Sequence, residues 1–265
     1  MKYFNQSLKD FQNKNIWIIG ASSGIGEACA KQLSALGANL ILSSRRIEFL
    51  EKVAFSCQQL HINKTAPYII PIDVTDDQSV IAACHLAFNY STKIDLLLVM
   101  SGIYEPMRAD QFQFSKALKT VDTNLLGVMR VISQAAPCMI AQQNGHIAIT
   151  ASVAGYSGLP NALSYGPTKA ALINFTESLY YDLKPKGISV HLISPGFVET
   201  PATAINDFKM PALITSEVAA TEIIKGLQRG KFDIHFPKKF TYFMKFLRII
   251  PYSLYFWILR TFIKV

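Results

Sequence analysis

The sequence has little cysteine, no paired histidines and no repeated or low-complexity block. Its four cysteines, Cys29, Cys57, Cys84 and Cys138, are scattered without a CxxC pair. This spacing argues against a disulfide framework and favours a reducing compartment. None of the five histidines lies at helical spacing from another, so we expect no metal site. Residues 1–14 are polar and lack the apolar core of a secretory signal, which predicts a cytoplasmic protein.

Acidic residues are missing after Asp233, although the chain carries a net charge of +8. Six of its 26 basic residues lie in this last segment, and without them the chain has 20 basic and 18 acidic residues. The basicity therefore belongs mainly to a tail, and we expect no nucleic-acid partner. The six residues are Lys238, Lys239, Lys245, Arg248, Arg260 and Lys264.

What the chain does have is a regular alternation of short apolar runs with amphipathic helical patterns. This alternation predicts right-handed βαβ crossovers and an α/β fold, a doubly wound parallel sheet with helices on both faces. No linker divides it, so we predict one domain over residues 1–237 and a C-terminal extension over 238–265. The predicted strands are 16–19, 40–42, 68–72, 95–100, 146–151, 189–193 and 233–236, and the predicted helices are 27–36, 48–60, one capped by Asp76 or Asp77, 112–142, 165–183 and 217–228.

A glycine-rich turn joins the first predicted strand to the first predicted helix. Glycines at GxxxGxG spacing permit a sharp turn, a close approach of backbone amides to a pyrophosphate, and tight packing of the helix. The helix N-terminus behind them offers unpaired N–H groups to phosphates. We therefore expect a dinucleotide site here. The turn reads Gly20-Ala21-Ser22-Ser23-Gly24-Ile25-Gly26.

Two arginines, Arg45 and Arg46, follow the second predicted strand. Sheets that bind NAD usually place an acidic residue here for the ribose hydroxyl, whereas an arginine accommodates a 2′-phosphate. No carboxylate lies between Gly37 and Glu48. A guanidinium can also bind phosphate through two N–H groups. The sequence therefore favours NADP(H) as the cofactor.

Tyr165 and Lys169 are four residues apart, which places them on one face of a helix. Pro167 between them is tolerated only in a first turn, so the helix should begin near Tyr165. A nearby ammonium favours the phenolate and would bring the tyrosine pKa down from about 10. The tyrosine could then act as a general acid or base on an alcohol or carbonyl, with Ser152 at a preceding strand end as its partner.

With these pieces in place, the sequence resembles the single-domain form of the short-chain dehydrogenase/reductase family. The resemblance covers nearly all of residues 14–237 and implies a Rossmann-like sheet. One segment departs from the family pattern. This chain has Val99-Met100-Ser101-Gly102 where the family usually has Asn-Asn-Ala-Gly. The lost asparagines put local strand pairing in doubt. The matching pieces are the glycine turn, Asp73-Val74, Asn124, Ser152, Tyr165, Lys169 and Pro195-Gly196-Phe197-Val198-Glu199-Thr200.

The resemblance implies a role for each matching residue. Tyr165 would be the general acid/base, and Lys169 would lower its pKa and bind the nicotinamide ribose. Ser152 would hold the substrate oxygen, and Asn124 would position a water in a proton relay. The implied cofactor contacts are the glycine turn, Arg45 at the 2′-phosphate with Arg46 beside it, Asp73 and Val74 at the adenine, Ser101 and Gly102 along the cofactor, and Pro195, Gly196, Val198 and Thr200 at the nicotinamide.

Residues 238–265 are crowded with aromatic, aliphatic and basic side chains. Their longest stretch without a charge, 249–259, is 11 residues long. As a helix it would reach about 16 Å, too short for a hydrocarbon core of about 30 Å, and Pro251 interrupts it. The composition favours one or two helices lying on an anionic membrane surface. The alternative, compatible with the first, is a helical hairpin that packs on the body or on another subunit.

The sequence thus predicts an NADP-dependent oxidoreductase that interconverts an alcohol and a ketone or aldehyde. The segment 201–216, expected to cover the cleft, is short and has few polar side chains, which favours a hydrophobic or lipid-like substrate. We expect a homodimer or homotetramer, with peripheral membrane contact through the tail. The alternatives are a non-catalytic nucleotide-binding regulator or scaffold, and a sugar-nucleotide epimerase, which usually needs an extra domain. The polar residues of the segment are Thr203, Asn206, Asp207 and Lys209.

Overall fold

The computed structural model describes residues 5–206, 208 and 210–262. The expectations that concern Asp207, Lys209 and Lys264 lie outside these described residues.

The core of the fold is a seven-stranded parallel sheet in the order β3-β2-β1-β4-β5-β6-β7. The chain runs outward from β1 to β3, then crosses back to β4 and runs outward in the other direction. This reversal at β1 and β4 defines a doubly wound sheet and confirms the predicted fold class. The strands are β1 Asn15–Ile19, β2 Asn39–Ser43, β3 Tyr68–Ile69, β4 Leu96–Val99, β5 Gly145–Thr150, β6 Ile188–Pro195 and β7 Asp233–Phe236.

Helices cover both faces of the sheet because each central strand is apolar on both sides. In β1, Trp17 and Ile19 enter one core cluster, whereas Ile16 and Ile18 enter the other. One face carries α1, α2 and α7, and the other carries α3, α5 and α6. The helix bounds are α1 Gly24–Ala35, α2 Ile47–Leu60, α3 Asp77–Tyr90, α4 Phe114–Val121, α5 Gly127–Gln142, α6 Tyr165–Leu183, α7 Ser216–Gln228, α8 Lys238–Ile249 and α9 Tyr252–Phe262.

The predicted helix 112–142 differs most from the structure. It begins at Phe114, and the π-helical turn Asp122–Leu126 separates α4 from α5. Among the described residues, Phe114–Gln142 is the one segment long and apolar enough to cross a membrane. One side of α5 is buried in the sheet core, including Val131 and Met139. We therefore interpret the segment as a core helix.

The departure at Val99-Met100-Ser101-Gly102 does not disturb the sheet. Strand β4 pairs with β1 and β5 along its whole length, and the Met100 N–H donates to the Ile19 carbonyl at 2.8 Å. The expected weakness is absent from this pairing because the main-chain ladder supplies the hydrogen bonds that hold the strands together.

The tail forms two helices, α8 and α9, as the composition predicted, and both pack on the body. Met244 and Leu247 of α8 and Tyr255 and Leu259 of α9 join the core cluster on the α6 face. The break between the helices falls at Pro251, as expected for a residue without a backbone N–H.

A buried histidine pair links β5 to β6. The His191 Nδ1 lies 2.6 Å from the Lys231 carbonyl, to which it must donate. The Nε2 of His191 is then an acceptor, and His146 Nδ1–H donates to it over 3.0 Å. Burial lowers the pKa of His146 to about 4 and, together with the charge of His146, that of His191 to about 3. Protonation of His191 Nε2 would remove the acceptor, so this hydrogen bond requires a neutral His191.

We expect the free energy of unfolding to fall as the pH drops from about 6.5 towards 4. Both pKa values are depressed in the folded state, so the unfolded chain binds protons first in this window. Each histidine contributes a slope of up to about 1.4 kcal/mol per pH unit. Urea unfolding at pH 7 and 5 would measure it. In the double variant His146→Gln/His191→Gln, the free energy of unfolding should depend less on pH. In the control variant His85→Gln, at an exposed position, the dependence should match the wild type. Equal slopes in the wild type and both variants would contradict the prediction.

Candidate active site

A cavity of about 670 Å³ opens at the carboxyl ends of the strands, where loops follow β1, β2, β4, β5 and β6. This is the crevice in which doubly wound sheets bind ligands, and its volume lies within the usual range for small-molecule and cofactor sites. Most of the sequence-predicted residues line it. They are Gly20, Ser22, Ser23, Gly24, Ile25, Gly26, Arg45, Arg46, Val74, Ser101, Gly102, Ser152, Tyr165, Lys169, Pro195, Gly196, Val198 and Thr200.

The glycine turn forms the floor of the cavity and needs its glycines. Gly20 has a φ of +92°, and a Cβ there would lie 2.7 Å from the Ser101 nitrogen. A Cβ on Gly26 would overlap the Gly20 carbonyl oxygen. The turn can therefore be this tight only without side chains. It leaves the N-terminus of α1, Gly24 to Gly26, at the cavity wall.

Arg46 spans the glycine turn. Its Nη2 donates to the hydroxyls of Ser22 at 3.0 Å and Ser23 at 2.8 Å, and its guanidinium lies 4.7 Å from the centre of the Phe49 ring. Ser23 is the N-cap of α1 but makes no side-chain cap hydrogen bond. The amides at this helix end are therefore left available to an anion, with a guanidinium beside them.

Arg45 lines the same end of the cavity and pairs with Asp73 at 3.8 Å. The Asp73 carboxylate accepts hydrogen bonds from the N–H and hydroxyl of Thr75. Burial raises the pKa of Asp73, but these hydrogen bonds and the arginine charges outweigh it and hold the pKa below its ordinary value. Asp73 itself lies outside the cavity wall. Asp73 thus reaches this end of the cavity only through its ion pair with Arg45, whereas its neighbour Val74 lines the cavity.

The predicted catalytic residues Ser152, Tyr165 and Lys169 meet at the opposite end. Helix α6 begins at Tyr165 with Pro167 in its first turn, as predicted. The Lys169 Nζ donates to the Thr150 carbonyl at 2.9 Å and lies 5.6 Å from the centre of the Tyr165 ring. The Ser152 hydroxyl accepts from the Ala154 N–H at 3.1 Å, which fixes its orientation at the end of β5.

The pKa values at this site differ from the expectation that Lys169 brings the pKa of Tyr165 down. Burial raises the pKa of Tyr165 to about 12, although its hydrogen bond with Ser152 lowers it. Burial also lowers the pKa of Lys169 to about 8. Both shifts have one cause, since a dry environment disfavours phenolate and ammonium alike. At neutral pH the tyrosine is therefore a protonated donor above a lysine that is still mostly charged.

Asn124 lies in the π-helical turn and acts through a loop rather than at the cavity surface. Its Oδ1 accepts from the Ile103 N–H at 2.7 Å, and its Nδ2 donates to the Ile103 carbonyl at 2.8 Å. These two bonds fix the loop after β4, in which Gly102 lies between Asn124 and Lys169. Both ends of the Asn124 amide are thus hydrogen-bonded to the Ile103 backbone. The water-positioning role expected for Asn124 stays a prediction.

Several cavity residues escaped the sequence reasoning. The Tyr104 ring meets the Tyr165 ring edge to face, with centres 5.0 Å apart. Apolar side chains complete this end of the cavity. No spacing signal pointed to Tyr104 or to residues 159–162, because they lie on separate loops that are distant in sequence. Phe197 belongs to the matched motif after β6, and Phe208 belongs to the segment expected to cover the cleft. The apolar residues are Leu159, Pro160, Ala162, Phe197 and Phe208.

Two buried hydroxyls in the cavity wall, Ser101 Oγ and Thr150 Oγ1, have no hydrogen-bond partner among the described residues. Together with the free amides of α1 and the two arginines, they form a donor set along one elongated cavity. These residues fit a dinucleotide, with phosphates at the glycine turn and the reactive ring near Tyr165. In the described part of the chain, no three histidine, cysteine or acidic side chains come together as a metal site would require.

Comparisons with known proteins agree with this geometry. A family model described as short chain dehydrogenase matches residues 14–209. An uncharacterized oxidoreductase of Listeria monocytogenes is 33% identical over 224 residues, 84% of this chain and 84% of that protein.

Two solved structures share the fold. A short chain dehydrogenase/reductase from Burkholderia phymatum in complex with NAD has a TM-score of 0.80 and 23% identity, covering 89% of this chain and 93% of that one. A short-chain dehydrogenase from Sphingobium yanoikuyae in complex with NADPH has a TM-score of 0.76 and 22% identity, with coverage of 84% and 87%.

Proposed function

The chain belongs to the short-chain dehydrogenase family, and we propose that it is an NADP-dependent oxidoreductase that reduces an apolar ketone or aldehyde or oxidises the corresponding alcohol. The observation that carries the proposal is the convergence of Ser152, Tyr165 and Lys169 at one end of a cavity whose other end holds Arg45 and Arg46.

The nicotinamide cofactor, when bound, supplies or accepts the hydride. Ser152 would hold the substrate oxygen with its oriented hydroxyl. Tyr165 would donate its phenolic proton to that oxygen as negative charge develops on it. Lys169 would place a positive charge beneath the tyrosine ring and stabilise the phenolate that remains.

Burial raises the pKa of Tyr165 to about 12, so at neutral pH the phenol carries the proton that carbonyl reduction consumes. Alcohol oxidation runs the same proton transfer backwards, with the phenolate as the base. The site therefore serves either direction of the reaction.

The preference for NADP rests on the two arginines. Arg46 is held by neutral hydroxyls, so its charge remains available to a phosphate, whereas Arg45 already faces Asp73. We expect Arg46→Gln to weaken NADPH binding by about 10- to 100-fold, since a hydrogen bond to a charged group contributes about 1.5–3 kcal/mol. Arg45→Gln should have a smaller effect. NADH binding should change little in either variant.

Tryptophan or nicotinamide fluorescence titrations would give these dissociation constants. Lys52→Gln is the matched control, because this residue also approaches the Phe49 ring, at 5.5 Å, but lies outside the cavity wall. Equal losses of NADH and NADPH affinity in Arg46→Gln would contradict the assignment of its charge to the 2′-phosphate.

The apolar walls around Leu159, Pro160 and Phe197 favour a hydrophobic substrate. NADPH oxidation with ketones and aldehydes of graded chain length tests the proposal. If each added methylene is buried, kcat/KM should rise about three- to fourfold per carbon until the cavity is filled. A flat dependence on chain length would contradict the substrate class, and no turnover with any carbonyl or alcohol would contradict the activity.

One other function fits the fold less well. A non-catalytic nucleotide-binding regulator would have no need for the oriented Ser152, Tyr165 and Lys169 at the cavity wall. Our proposal includes a reducing, cytoplasmic setting, supported by four free cysteines, and a homodimer or homotetramer, which sedimentation equilibrium would measure.

A further inference from the structure

The C-terminal hairpin, defined as α8, the turn at Pro251 and α9 (residues 238–262), carries a large apolar surface that the domain does not cover. Monomeric proteins seldom expose a contiguous surface of this kind unless it binds something. Ile249 and Tyr252 are almost fully exposed, at 79% and 78%, and Trp257 is exposed at 61%. The large exposed side chains are Tyr242, Phe243, Phe246, Ile249, Tyr252, Leu254, Phe256 and Trp257.

On α8 these side chains form a face distinct from the one that packs on the body. Thr241, Met244 and Leu247, at helical spacing, are buried. The opposite positions carry the exposed aromatic residues Tyr242, Phe243 and Phe246, with Lys239 and Ile249 at the two ends of the same face. The helix is therefore apolar on both sides, and only one side has a partner among the described residues.

On α9 the same division recurs. Tyr255 and Leu259 are buried against the body. Phe256 and Trp257 point to the other side, together with Arg260 one turn further on.

The charged side chains of the hairpin itself are all basic. No acidic residue follows Asp233, and Lys239, Arg248 and Arg260 are exposed. Lys245 has a different role, because it forms an ion pair with Asp233. Two of the exposed cations, Lys239 and Arg260, lie on the outward faces among the aromatic side chains.

We propose that the C-terminal hairpin docks the protein on an anionic lipid bilayer, with the aromatic rings entering the interface and Lys239 and Arg260 contacting lipid phosphates. Aromatic and long cationic side chains present an apolar body and a polar tip, which suits the headgroup boundary. Helices of 12 and 11 residues reach only about 16–18 Å, so they lie on the bilayer and do not cross it.

The hairpin also contacts residues at and beside the cavity wall. The Phe240 ring of α8 lies 5.7 Å from the Phe197 ring, which lines the cavity. From α9, the Tyr255 hydroxyl donates to the Gly158 carbonyl, next to the cavity residue Leu159. Docking through the hairpin therefore keeps this apolar part of the cavity near the bilayer that would supply an apolar substrate; this last step rests on the proposed function.

Co-sedimentation of the full chain with vesicles tests the docking. We expect binding to vesicles of phosphatidylcholine and phosphatidylglycerol in equal parts, and at least about tenfold weaker binding to phosphatidylcholine alone. The variants Phe256→Ser/Trp257→Ser and Lys239→Glu/Arg260→Glu should each weaken binding to the anionic vesicles at least about tenfold. The matched controls, Phe55→Ser/Tyr181→Ser and Lys9→Glu/Lys186→Glu, change exposed residues elsewhere and should bind as the wild type does.

Vesicle binding that does not depend on lipid charge, or that persists in both hairpin variants, would overturn the proposal. So would a wild-type protein that stays in the supernatant, or an oligomer in gel filtration that the hairpin variants dissociate, which would assign the surface to a second copy of the chain. The readout needs no turnover. Anionic-vesicle binding without activity on any carbonyl would contradict the proposed function and leave the docking intact.

Discussion

Tyr165→Phe is expected to lower kcat for carbonyl reduction by about 10²- to 10⁴-fold, the range for loss of a positioned general acid. The substitution removes only the hydroxyl that would protonate the substrate oxygen. The ring remains, and with it the edge-to-face contact with Tyr104 at 5.0 Å. NADPH affinity and the melting temperature should therefore stay near the wild-type values. Stopped-flow single turnovers of NADPH oxidation would separate the chemical step from cofactor binding.

Tyr156, which does not line the cavity, provides the control for Tyr165→Phe. Tyr156 is buried, and burial raises its pKa. Tyr156→Phe should therefore leave kcat unchanged, although it removes the same atom from a tyrosine whose pKa is also raised by burial. A Tyr165→Phe variant that turns over as fast as the wild type would remove the phenol from the mechanism.

Lys169→Met is expected to abolish most of the activity and to make the protein more stable at neutral pH. The ammonium is almost fully buried, and burial lowers its pKa from 10.5 to about 8. This shift corresponds to about 3 kcal/mol of destabilisation at neutral pH. Methionine removes that cost but leaves the Thr150 carbonyl without its donor, which costs about 1–3 kcal/mol. The net gain in the free energy of unfolding should be up to about 2 kcal/mol.

The pH dependence of this gain follows from the direction of the shift. The folded-state pKa is lowered, so the cost of the charged lysine is fully present below pH 8 and disappears as the pH rises towards 10.5. Denaturant unfolding at pH 7 and pH 10 should show the advantage of Lys169→Met at pH 7 alone. Lys186→Met, at an exposed position, is the control and should show no pH-dependent difference. A Lys169→Met variant less stable than the wild type at pH 7 would contradict the assignment.

Turnover would fall in Lys169→Met for a different reason. Without the ammonium, nothing beneath the Tyr165 ring stabilises the phenolate left after proton transfer, and the loss should be of the order of 10²- to 10⁴-fold. Opposite changes in stability and activity are expected where a buried charge is kept for chemistry. A purely structural lysine would lower both together.

The sequence alone determined the parts that depend on local pattern. The alternation of apolar runs with helical patterns predicted the doubly wound sheet, and the glycine spacing predicted the phosphate turn. Each of these signals depends on residues that lie only a few positions apart in the chain. Pro167 fixed the start of α6 at Tyr165 in the same way, because proline is accepted only in the first turn. The hydrophobic, basic composition of residues 238–265 also predicted one or two helices and an interruption at Pro251, and the structure has two.

The tertiary structure decided everything that depends on burial or on residues distant in sequence. The spacing of Tyr165 and Lys169 suggested that the lysine lowers the tyrosine pKa, but desolvation raises that of Tyr165 and lowers that of Lys169. Asn124 fits the family pattern, yet its amide is bound by Ile103, 21 residues away. Tyr104 reaches the site because separate loops converge at one end of the sheet. A sequence pattern records neighbours along the chain, whereas desolvation and convergence depend on how the whole sheet closes around the cavity.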